Sequence, residues 1–122
     1  MKNTFFSFLF FLFISPVFSQ QTVVEKTYPD GSSSLVRGYD KHGALIKEIS
    51  YYENRQIDYE GEFKEGKEHG KWTYYYKDGQ KMYVEIYKNG FEEGKHYEWA
   101  PDGQLVKIEY YQQGRLVKTE EK

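Results

Sequence analysis

The stretch YEGEFKEGKEHGKWTYYYKDG, residues 59–79, gathers residue types that often do chemistry: Glu60, Glu62, Glu65 and Glu68 lead up to His69. Two carboxylates can divide acid and base roles in glycoside hydrolysis, provided that their surroundings push their acidities apart. Lys64, Lys67 and Lys71 interleave with these carboxylates, which is how a solvated mixed-charge surface reads, not a desolvated pocket. His42, His69 and His96 recur every 27 residues, a regularity that invites a shared metal site because imidazole is a common metal ligand. Both ideas depend on the elements that present these side chains.

Those elements follow from the turn residues. Asp30-Gly31, His42-Gly43, Asn54-Arg55, Glu65-Gly66, Asp78-Gly79, Asn89-Gly90, Asp102-Gly103 and Gln113-Gly114 are spaced at steps of 11 to 13 residues. Such pairs reach positive φ cheaply and favour tight primed hairpin turns. Two steps make a 24-residue unit: Gly66 maps on Gly90 and Gly114, Gly70 on Gly94, Asp78-Gly79 on Asp102-Gly103, and Tyr59 on Tyr83. Self-similarity at a fixed period marks a repeat architecture. Between turns, segments such as Lys81 to Tyr87 and Leu105 to Tyr111 are rich in β-branched and aromatic residues that alternate in character, so they read as strands. Met82, Val84 and Ile86 share one face with Val106, Ile108 and Tyr110 one unit later, since an even period preserves sidedness. The expected fold is all-β, an elongated antiparallel meander of about eight strands built from successive β-hairpins.

Against this 24-residue unit the histidines drift by three residues per copy and fall at unlike positions. A turn or solvent role is expected for each, and no metal, cofactor or catalytic site.

The first 19 residues stand apart. Met1-Lys2-Asn3 is followed by a run rich in Phe, Leu and Ile that closes on Val17-Phe18-Ser19, the pattern of a signal helix removed at export. Seven of the nine Phe lie there, and losing Lys2 with the segment takes the formal charge from −2 to −3. Residues 20–122 then form one domain, secreted or periplasmic. With no cysteine it stands without disulfides, and without a basic stripe it offers nothing to nucleic acid.

The skeleton Tyr59-x-Gly61-x-Phe63-x-x-Gly66-Lys67-x-His69-Gly70-x-Trp72 resembles the MORN repeat. The continuation Tyr74-Tyr75-Tyr76-x-Asp78-Gly79-Gln80 is similar to a bacterial variant, the YwqK-like family labelled antitoxin-type. The next copy keeps Tyr87, Asn89-Gly90, Gly94-Lys95 and Asp102-Gly103-Gln104, with Glu85 for the first glycine, Glu93 for the histidine and His96 for the tryptophan. The resemblance spans roughly residues 28 to 120 in degenerate form. It implies a twisted sheet of hairpins used for scaffolding or protein contact, without catalysis, and it places a toxin among the partners.

Gly61, Gly66, Gly70, Gly79, Gly90, Gly94, Gly103 and Gly114 are the repeat's structural positions. Gly61 and Gly70 are expected where a side chain would collide with a neighbouring strand or ring. The aromatic rows Tyr51-Tyr52, Tyr74-Tyr75-Tyr76 and Tyr110-Tyr111 put rings on both faces of the sheet. Trp72, Tyr74, Tyr76, Tyr83, Tyr87 and Trp99 are the candidate partner contacts, because Tyr and Trp combine large area with a polar handle. The leading expectation is an exported, non-catalytic interaction module that engages a protein by this face or by an open sheet edge. The alternatives are an antitoxin or immunity protein and a module that binds glycan or lipid surfaces; no stable membrane insertion is expected after the signal is cleaved.

Overall fold

The computed structural model describes residues 20–122, and the signal segment expected at 1–19 lies outside the described residues. The described chain is all-β. Its strands are β1 (Gln21–Thr27), β2 (Ser33–Tyr39), β3 (Leu45–Tyr51), β4 (Ile57–Lys64), β5 (Lys67–Tyr75), β6 (Lys81–Lys88), β7 (Phe91–Glu92), β8 (Gly94–Trp99), β9 (Leu105–Gln112) and β10 (Arg115–Glu121). They form one open antiparallel sheet in sequence order, in which β7 and β8 both pair with β6 as two parts of one sheet position. Ten strands therefore replace the expected eight. Eight turn pairs bound nine segments, and the one between Asn89-Gly90 and Asp102-Gly103 is split at Glu93 into β7 and β8.

The corners fall at the paired turn residues, but they are of two kinds. Glu65-Gly66, Asn89-Gly90 and Gln113-Gly114 carry positive φ at both residues, as the primed two-residue turn requires. At Asp78-Gly79 the Gly79 N–H donates to the Tyr76 carbonyl at 2.9 Å and the Tyr76 N–H donates to the Gln80 carbonyl at 2.8 Å. That is a three-residue loop, a type I turn closed by a residue at positive φ. The same pair of bonds recurs at Tyr28, Asp40, Tyr52 and Ala100, so the expectation of primed turns throughout is corrected at these corners. The physical reason lies in the residues before the glycine. Pro29 and Pro101, just before their pairs, have a φ fixed for the first central position of a type I turn and lack the N–H that would close a two-residue hairpin, and the Asp78 and Asp102 carboxylates accept the N–H two residues on.

Inside β5 the register slips: Glu60 pairs with Thr73 and Glu62 with His69, so Gly61 faces the longer stretch Gly70 to Trp72. Gly70 makes this bulge with φ +75°, while a Cβ built on it would meet only the Glu62 carboxylate, at 3.2 Å. Conformation, more than the collision expected from sequence, is what reserves Gly70 for glycine. We predict that Gly70→Val costs about 2 kcal/mol, whereas Lys71→Ala, at an exposed position, stays within about 0.5 kcal/mol. Equal thermal midpoints for the two variants would contradict this assignment.

The sheet is a single layer among the described residues, and what it buries lies at its centre on both faces. Trp72 (6 % exposed) and His96 (7 %) lie on one face; Thr73 (1 %) and Val84 (6 %) lie on the other. Neighbouring long side chains supply this cover laterally, since cross-strand neighbours are within reach of rings. A row of hydroxyls ties the hairpin ends together. Tyr28, Tyr52 and Tyr76, one unit apart, donate to the carbonyls of Tyr51, Tyr75 and Trp99 at 2.7–2.8 Å. Both outer strands carry irregular register, at Val24 to Thr27 in β1 and Leu116 to Lys118 in β10, and bulges of this kind blunt an edge against further pairing.

Candidate binding face

Cross-strand register assembles one face ring by ring. Tyr59 pairs with Tyr74 and Tyr74 with Tyr83, while Trp72 sits opposite Glu85 and Gly70 opposite Tyr87. The rings touch in sequence along the sheet. Tyr59 lies 6.0 Å from Trp72 and 5.8 Å from Tyr74, and Phe63 meets Trp72 edge-on at 5.2 Å. Trp72 contacts Tyr87 at 6.4 Å, Tyr87 contacts His96 at 6.2 Å, and His96 lies on Tyr111 at 4.5 Å. These spacings suit offset and edge-to-face aromatic packing.

Four of the six candidate contacts, Trp72, Tyr74, Tyr83 and Tyr87, thus share one continuous face. Tyr83 is the most open of them at 37 % exposed, while Trp72 is its buried keel. The other two lie elsewhere. Tyr76 sits at a corner with its hydroxyl committed to the Trp99 carbonyl, and Trp99 stacks on Tyr97 at 5.8 Å on the opposite face. Phe63, His96 and Tyr111 belong to the row although their roles do not show in local sequence. Their signal was the unit itself: His96 stands one period after Trp72.

That substitution shows how the unit adapts. The Trp72 indole N–H donates to the Glu62 carbonyl at 3.0 Å. One period on, His96 Nε2 lies 3.0 Å from the Ile86 carbonyl oxygen and 3.1 Å from the Ile86 nitrogen. The turn or solvent role expected for His96 is therefore corrected: it is a buried ring that fills the tryptophan's place. The other two histidines differ. His42 is exposed in a corner, and His69 accepts the Asn89 N–H through Nδ1 at 3.3 Å. Among the described residues no group of three or more His, Asp or Glu is arranged to hold a metal ion.

Carboxylates thread between the rings. Tyr59 donates to Glu48 at 2.7 Å, Tyr87 to Glu85 at 2.9 Å and Tyr111 to Glu109 at 3.2 Å. Glu48 also receives the Arg37 guanidinium at 2.7 Å. Burial, and then these carboxylates, raise the phenol pKa values. Tyr74 is pushed up to about 12 by desolvation first and by Glu85 and Glu68 after it. Tyr59 and Tyr87 are pushed further in the same direction by burial, followed by hydrogen bonding to Glu48 and Glu85 respectively. A phenolate is disfavoured both in a poorly hydrated site and beside a carboxylate.

A shallow groove of about 100 Å³ opens on this face, where Tyr83, Glu85, Glu92, Glu98, Glu109 and Tyr111 are among its walls. Lys107 is the cation within it, held by Glu98 at 2.7 Å and Glu109 at 3.4 Å. The opposite face is different in charge. Lys47, Lys71 and Lys95 recur there at the unit's period, and Lys95 lies over the Tyr110 ring at 5.5 Å. The long aromatic row with its acids lies on one side, while the other carries Val84, Ile86 and these lysines beside Tyr97, Trp99 and Tyr110, so the sheet is two-sided in charge. No protein family, curated protein or solved structure matches this chain.

Proposed function

We propose that this chain is an exported, non-catalytic module that docks a protein partner through the face bearing Trp72, Tyr74, Tyr83 and Tyr87. The observation that carries the reading is the unbroken aromatic row on an uncovered sheet face. Tyr and Trp anchors of this kind dominate protein contacts because they bury large area at low entropic cost. The acids support contact rather than catalysis. Glu48, Glu85 and Glu109 accept tyrosine hydroxyls, which occupies the groups that a hydrolytic pair would need free. Docking on the face is favoured over strand addition because both outer strands are irregular. Export rests on the N-terminal run, and kinship with MORN-type repeats rests on the residues quoted for it.

Affinity capture from the native envelope tests the reading. Wild-type protein should retain one dominant protein, and Tyr74→Ser with Tyr83→Ser should release it while Tyr97→Ser, on the opposite face, should not. A clean blank for the wild type, or equal retention by all three proteins, would remove the proposal.

A further inference from the structure

The two faces of the sheet differ in charge, and that difference bears on what the aromatic face can accept. Glu92 pairs with Tyr87 across the strands, Glu85 lies two residues before Tyr87 on β6 and on the same face, and both carboxylates line the groove. Neither carboxylate makes an ion pair among the described residues. Glu98 and Glu109 share the single ammonium of Lys107, so together they keep an excess of negative charge. Glu68 adds another acid beside Phe63 on the same face. Like charges held this closely repel one another, and water screens them less where rings wall the site. The tyrosines respond to that field: Tyr87 and Tyr111 are raised by burial first, with Glu85 and Glu109 next and Glu92 contributing to both.

We infer that the aromatic face docks an extended, lysine- and arginine-rich segment of a partner protein, its cationic heads meeting Glu85, Glu92 and Glu109 and its methylene stems lying over Tyr83, Tyr87 and Tyr111. This inference rests on the docking reading above and names the chemistry of the partner. Several features favour that occupant. A groove of about 100 Å³ is too small for a drug-sized ligand but has room for the head of a long side chain. Cations gain twice at such a surface, from the carboxylates and from the ring faces. The lysines of the opposite face confine the attraction to one side of the sheet. An acidic partner, nucleic acid or an anionic membrane would meet repulsion on the same surface.

The test follows the amide resonances of the protein while a synthetic peptide of alternating lysine, arginine and glycine is added. In parallel runs, glutamate replaces every cation, or the peptide is neutral and tyrosine-bearing, or a neutral oligosaccharide is used. The inference expects the basic peptide to shift resonances of β6, β8 and β9 and to bind more weakly as salt is raised. Glu85→Gln with Glu92→Gln should weaken it about tenfold with an unchanged melting midpoint, while the charge-matched pair Glu53→Gln with Glu62→Gln should not. Equal weakening by both pairs would reduce the effect to net charge and overturn the inference. Binding of the neutral peptide or the oligosaccharide in place of the basic one would overturn it too; the peptide result would leave the docking face standing. If no peptide perturbs the face, both proposals fall.

Discussion

Gly61→Ala is expected to cost about 3 kcal/mol, the largest effect of any single methyl group in the sheet. A Cβ at that position would lie 2.0 Å from the Trp72 ring and within 2.5 Å of three of its atoms. Real atoms do not approach so closely, so either the ring leaves its place or β4 moves away from β5. Overpacking a filled site costs about 1–3 kcal/mol, and loss of a buried tryptophan about 3–5 kcal/mol. Trp72 cannot retreat cheaply, because Tyr59, Phe63 and Tyr87 surround it and its N–H is bonded to Glu62. The chain itself contains the remedy. One unit later the pair Gly61 and Trp72 becomes Glu85 and His96, where a smaller ring makes room for a side chain. Combining Gly61→Ala with Trp72→His should therefore show a favourable coupling of about 1 kcal/mol or more in a double-mutant cycle. Urea unfolding of the four proteins measures it. Gly61→Ala within about 0.5 kcal/mol of wild type would mean that Gly61 is not reserved for the indole.

The second large effect is alkaline collapse. A phenol whose pKa is raised on folding binds its proton more tightly in the folded state than in the unfolded one. Its contribution is complete below the unfolded value of about 10 and is lost as pH rises through the folded value. For Tyr74 that window runs from 10 to about 12, and Tyr59 and Tyr87, raised further, extend it upward. Stability should therefore hold steady up to pH 10 and fall steeply above it. Ultraviolet titration of tyrosinate should be biphasic. The buried tyrosines of the aromatic face should form the late phase, ionising only as the sheet unfolds, with loss of β-sheet circular dichroism at the same pH. A single ionisation step for all 13 tyrosines, with the sheet intact, would show that the ring row is hydrated. Glu85→Gln should move the late step to lower pH, because Glu85 raises both Tyr87 and Tyr74.

These expectations show how unevenly the sequence speaks. The places where the chain turns were legible because Gly and Asn mark backbone that other residues enter at a cost. The kind of turn is legible too, in Pro29 and Pro101, which suit the first central position of a type I turn and lack the N–H that a two-residue hairpin would use. Reading only the pair at each corner missed it. Gly61 is legible as a place of close approach, whereas Gly70 is held to glycine more by its φ of +75° than by the collision expected of it. His96 is buried where a turn or solvent role is expected, although the period sets it on Trp72, because histidine by type gives no sign of burial until its neighbours are known.

Turn chemistry and a period of two are local properties of the chain, so residue order is enough to specify a hairpin sheet, the places where it doubles back and the residues that alternate across it. Tertiary structure alone decided which rings meet. The bulge at Gly70 shifts register inside β5, and a shift of register changes what every side chain beyond it faces. It also decided that Tyr76 is a clasp and Trp99 belongs to the far face, and that rings and uncompensated acids gather on one side. Such a gathering depends on summed cross-strand neighbours, which no single stretch of the chain contains.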